Sequence, residues 1–109
     1  MAYDTELADR VRDALAAAGA DATERSMFGG LAFMVGGHMT VGLIRDDLMV
    51  RVGREGYDDA LSSPSARPMD FTGRPMTGMV LVAHTSLDDA TLDSWVRRGL
   101  AFTTTLPPK

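Results

Sequence analysis

His38 and His84 are the only imidazoles in the chain, and cysteine is absent. This composition excludes a histidine-rich or thiolate metal site, a thiolate nucleophile and a disulfide framework. No HExxH segment occurs, and the paired acids Asp46-Asp47, Asp58-Asp59 and Asp88-Asp89 suit turns and helix starts. His38 follows Gly36-Gly37 and is expected as a solvated histidine at a hairpin edge, while His84 ends a strand before the last helix. Ser62, Ser63 and Ser65 fall in a proline-rich stretch, outside any GxSxG turn, and Ser26 has no evident base nearby in sequence. The expectation is no catalytic set, no metal and no cofactor.

The arginines carry more chemistry. Arg51 sits within an apolar run on the same face as Met49, Arg25 lies in the first apolar run, and Arg67 and Arg74 bracket PMDFTG. A guanidinium presents a planar fork that fits carboxylate or phosphate. Two readings stand. Arg51 pairs with an acid such as Asp70 and fastens the irregular segment to the sheet, or Arg51, Arg67 and Arg74 line a site for a small anion or nucleotide. The glycines do not make a phosphate loop: MFGGLAF lacks the Lys-Ser/Thr ending, and VGGHMTVG leads into a strand. Gly29-Gly30 therefore reads as a bulge or a close approach of backbones.

Behind these residues the elements follow from periodicity. Residues 4–18 form an amphipathic helix on Leu7, Val11, Leu15 and Ala18, with Asp4 or Thr5 as cap and Gly19 as stop. Thr23–Phe28, Leu31–Val35, Met39–Ile44 and Leu48–Val52 are short apolar runs divided by Gly29-Gly30, Gly36-Gly37 and Asp46-Asp47, an antiparallel meander. Arg54–Leu61 is a short helix with Tyr57, Ala60 and Leu61 on one side. Residues 62–78 are irregular, with one short strand around Met69–Phe71. Met79–Ala83 is a strand. Ser86 with Asp89 starts a last helix on Leu92, Trp95, Val96, Gly99 and Phe102 or Thr103, and Pro107-Pro108 prevent its continuation. The fold class is α+β: an antiparallel sheet with three helices in the order α, several β, α, β, α.

Neighbouring strand positions face opposite sides of a sheet. Here both sides are apolar: Leu31, Phe33 and Val35 oppose Ala32 and Met34, and Met79, Leu81 and Ala83 oppose Val80 and Val82. Three helices cover one face. The second face calls for a second copy of the chain or for a helix that crosses over, and the prediction is a homodimer through sheet or sheet-edge surface. Met34, Ile44, Met49, Val80 and Val82 are the candidate interface. Met27, Met34, Met39, Met49, Met69, Met76 and Met79 fill core or interface, because methionine adapts to irregular gaps. Trp95 is packing.

Composition sets the outer bounds. With 109 residues, 45% hydrophobic and 24% charged, the chain suits a single domain over residues 1–109 and not a disordered tail. A net charge of −4 opposes non-specific nucleic-acid binding, which needs cations to displace phosphate counterions, and the last helix offers only Arg97-Arg98. No segment approaches the ~20 apolar residues of a membrane span. The opening MAYDTELADR carries early acids, unlike a signal peptide, so a cytoplasmic location is expected.

The ordered set MFGGLAFMVGGHMTVGL, LMVRVG, RPMDFTGRPMTGMVLV and WVRRGLAFTTTLPPK resembles the N-terminal domain of the TfoX/Sxy competence-regulator family. The likeness runs from about residue 7 to the end. It implies an α+β fold arranged like secretion chaperones and a stand-alone, non-enzymatic module with a protein partner in transcription regulation. Two-domain relatives would continue into a helical domain where this chain reads LPPK. The Phe28–Gly30 and Arg67–Gly78 segments carry the likeness, and it supplies no catalytic residues to place on this sequence.

Overall fold

Asp4 opens the first helix: its carboxylate accepts from the Glu6 and Leu7 N–H groups at 3.0 and 3.2 Å. The computed structural model describes residues 3–27, 29–69 and 77–108. Helix α1 (Thr5–Ala17) buries Leu7, Ala8, Val11 and Leu15, and ends before Gly19 at φ +75°. A meander follows: β1 (Ala22–Met27), β2 (Gly30–Val35), β3 (His38–Ile44) and β4 (Asp47–Arg51). Helix α2 (Gly53–Leu61) and the short strand β5 (Ala66–Pro68) come next, then β6 (Met79–Ala83), a 3-10 turn at His84–Ser86 and α3 (Asp89–Thr103). The α+β reading and its element order hold.

The six strands pair antiparallel in the order β1-β2-β3-β4-β6-β5. Gly36 and Gly37, at φ +61° and +83°, make the β2–β3 turn that L side chains resist. Gly30 answers to close approach: a Cβ there would lie 1.9 Å from the Leu43 carbonyl oxygen.

All three helices contribute to one core against one side of the sheet. Phe33, Val41, Leu43, Leu48, Val50, Val80 and Val82 meet side chains such as Val11, Ala60, Leu92, Trp95 and Val96. α3 comes closest at Gly99, where a Cβ would stand 2.9 Å from the Thr40 carbonyl oxygen. Beside that contact the buried Thr40 and Thr103 hydroxyls bond at 2.9 Å, which satisfies two polar groups inside the core. At the sheet's edge Arg12 of α1 donates to both carboxylate oxygens of Glu24 on β1, at 2.6 and 2.7 Å. Those bonds hold the Glu24 carboxyl below its usual range and the guanidinium above its own.

Some local expectations change. The short strand described in this segment is Ala66–Pro68, where Pro68 lacks an N–H and an edge strand tolerates that; of the expected Met69–Phe71 strand, residues 70–71 lie outside the described residues. The β3–β4 turn is Arg45-Asp46, with Arg45 itself left-handed at φ +55°, so Asp47 belongs to the strand and pairs with Ile44. Helix α3 is capped by Asp88, whose carboxylate accepts from the Thr91 N–H at 2.7 Å, three residues into the helix; Ser86 ends the preceding 3-10 turn. That bond holds the Asp88 carboxyl below its ordinary value. His38 is buried, not solvated, because the chain after α3 returns over it and the Pro107 carbonyl meets Nε2 at 2.7 Å. No helix of the described residues is long and apolar enough to cross a membrane.

Candidate functional site

Pairing partners directly opposite in a sheet share a face, so the registers assign every strand side chain to one side. The side away from the helix-packed core carries Met34, Met39, Ile44, Met49, Met79 and Leu81. Met49 lies directly opposite Gly42 and its Cε fills the space that glycine leaves, 2.5 Å from where a Cβ would be. Met49 and Met69 are fully buried, Met79 nearly so, and Met39, Ile44 and Leu81 pack against them half-buried. Met34 is half-buried as well. Among the described residues no helix covers this side, so the crossing-helix alternative is excluded. The apolar centre has a polar rim, with exposed Thr23 and Arg25 on β1, and Arg67 of β5 paired with Asp47 of β4 at 2.5 Å.

The five residues expected at an interface do not share a surface. Met34, Ile44 and Met49 belong to the helix-free face, with Met49 at its floor. Val80 and Val82 point the other way and are fully buried in the helix-packed core. Alternation along β6 separates the two sets; which set faced the helices needed the pairing register.

A second feature lies at the far end of β4. There the chain turns into α2 through Gly53, at φ +80°, and the Phe102 ring of α3 rests on that glycine's backbone. Gly78 closes on the same point, its carbonyl accepting from the Val52 and Gly53 N–H groups at 2.8 and 3.1 Å. Arg51 lies over the Phe102 ring, 5.5 Å from its centroid. Beside them an open cleft of about 680 Å3 runs between α2 and the last turns of α3, lined by Val52, Arg54, Glu55, Arg98, Ala101 and Phe102 among others. Arg98 spans Trp95, at 4.9 Å, and donates to Asp59 at 2.9 Å.

The three arginines singled out in the sequence therefore separate. Arg51 closes β4 beside Phe102, whereas Arg67 reaches Asp47 at the opposite end of that strand. Arg74, like the expected Arg51 partner Asp70, lies outside the described residues. Arg54 and Arg98 were not singled out as site residues; only the α2–α3 packing brings them to one cleft. Arg97 pairs with Asp93 at 2.8 Å and Arg98 with Asp59 at 2.9 Å. Ser62 donates to the Asp59 carbonyl, and His84 is exposed. No three histidine or acidic side chains gather as a metal-binding group among the described residues.

A family model described as the TfoX N-terminal domain matches residues 6–103. No curated protein and no solved structure matches the chain.

Proposed function

We propose, from the premise that the chain belongs to the TfoX N-terminal domain family, that it is a non-enzymatic regulatory module that self-associates into a homodimer. Family membership supports a regulatory or interaction role. The helix-free face of the sheet carries the rest: Met39, Ile44 and Leu81 are left half-buried around the buried Met49, Met69 and Met79, and Met34, opposite Met39, is half-buried as well. A copy related by two-fold symmetry presents the same patch, so each apolar centre meets another. Completing the burial of these four side chains is worth on the order of 0.5–1 kcal/mol each. Eight of them across a symmetric pair give a gross figure of about 4–8 kcal/mol, which places association in the micromolar range or weaker. Methionine suits the task, since its flexible thioether repacks against an imperfect partner. In this reading a protein partner in transcription regulation engages the dimer, nucleic acid is not bound directly, no membrane is involved, and the site of action is the cytoplasm.

Oxidative footprinting tests the reading. Brief peroxide treatment followed by mass spectrometry should oxidise Met34 and Met39 readily in dilute protein and several-fold more slowly in concentrated protein, with buried Met49 slow in both. Equal oxidation of Met34 and Met39 at all concentrations would contradict it.

A further inference from the structure

The cleft between α2 and α3 has a different character from the methionine face. The chain carries a net charge of −4, yet two arginines, Arg54 and Arg98, line this cleft with a single acid, Glu55, and Arg51 lies over the Phe102 ring beside it. Arg54 is exposed and has no carboxylate partner among the described residues. Arg98 gives one of its five N–H donors to Asp59, which leaves others for a ligand. Its guanidinium is held by the Trp95 ring, so little further ordering is needed on binding. The apolar part of the lining is Val52, Ala101 and the half-buried Phe102 ring, and Glu55 and Thr105 line the cleft beside it. The volume, about 680 Å3, lies within the range of small-molecule sites. The positions of the ring and of the cleft wall are fixed by Gly53, whose missing side chain is the space the ring occupies.

We propose that this cleft binds a small organic anion: a phosphate or carboxylate carried on an aromatic or aliphatic body. The body lies on Val52, Ala101 and Phe102, and the anionic group is held by Arg54 and Arg98. Arg51, over the Phe102 ring at the edge of the cleft, adds positive potential. The apolar floor demands a body and the arginines demand a charge, so neither free inorganic phosphate nor a neutral aromatic satisfies both.

The test is an amide-resolved NMR titration of the intact chain with phenyl phosphate, benzoate, phenol and inorganic phosphate. At least one of the two aromatic anions should give saturable shifts at Arg54, Gly56, Ala101 and Phe102, at least tenfold tighter than phenol or inorganic phosphate. Whichever anion binds tighter identifies the headgroup. Arg54→Ala, a change at an exposed position, should weaken binding about tenfold with the spectrum otherwise retained, and Arg97→Ala should leave it unchanged. Phenol binding as tightly as the anions, shifts mapping to another surface, or an unaltered affinity in Arg54→Ala would each overturn the proposal. Arg54 and Arg98 belong to α2 and α3, which pack on the other side of the sheet from the methionines, so failure here leaves the dimer reading intact, and the reverse holds as well.

Discussion

The Phe102 ring and the Gly53 backbone are in direct contact: a Cβ on residue 53 would stand 2.4 Å from the ring's Cδ1. One residue therefore decides both how the chain leaves β4 and where the end of α3 is seated. Gly53 also sits at φ +80°, where an L side chain adds strain even in open space.

Gly53→Ala should destabilise the fold by about 2–4 kcal/mol, adding left-handed backbone strain to overpacking against the ring. Urea unfolding measures it. Combining it with Phe102→Ala, which removes the clashing ring, should cost less than the sum of the two single changes. Additive costs would show that the contact does not limit the site.

How much of this was legible beforehand depends on whether the deciding signal was local. The Gly36-Gly37 turn, the Asp4 cap and the stop at Gly19 rest on side-chain chemistry within a few residues, and each stands in the structure. His38 read as solvated because its partner, the Pro107 carbonyl, lies 69 positions away. Arg45 adopts a left-handed turn that its type does not favour, and the Asp4 N–H donates to its carbonyl at 3.0 Å, another contact invisible locally. Both sides of the sheet were recognisable as apolar, but Val80 and Val82 were placed at an interface because alternation says which residues share a side and not which side the helices take. The cleft was hidden for the same reason: Arg54 and Arg98 are far apart in sequence, and no spacing links them.

A second glycine tests the other end of the packing. Alanine normally gains about 0.5–1 kcal/mol over glycine inside a helix. At Gly99 the new Cβ would sit 2.9 Å from the Thr40 carbonyl oxygen and 3.2 Å from Val41 Cγ1, so α3 must move off the sheet. Overpacking of roughly 1–3 kcal/mol should win, and Gly99→Ala should lower the thermal midpoint. Thr40→Val should cost less, about 1 kcal/mol, because Thr103 keeps its 3.1 Å bond to the Gly99 carbonyl. The reverse ranking would mean that α3 is free to shift.

The Arg12–Glu24 pair gives a pH dependence with a definite sign. Hydrogen bonds from Arg12 lower the folded-state value of Glu24 below its ordinary 4.5. Its stabilisation is therefore complete above that ordinary value and fades as pH falls through the lowered one. Both side chains remain substantially exposed, so the contribution is about 0.2–1 kcal/mol and weakens with salt. Glu24→Gln should be less stable than the parent chain at pH 7 by that amount, and the difference should shrink toward zero on acidification. A gap that widened in acid would reverse the assignment.

The most direct test of the whole account is the mass of the protein in solution. Sedimentation equilibrium from tens to several hundred micromolar should show the average mass rising from 11.7 kDa toward twice that value. Met34→Asp and Leu81→Gln, each folded by circular dichroism, should hold the monomer mass over the same range. A parent chain that stays at 11.7 kDa throughout, or variants that associate as well as it does, would contradict the claim that the helix-free face is where a second copy docks.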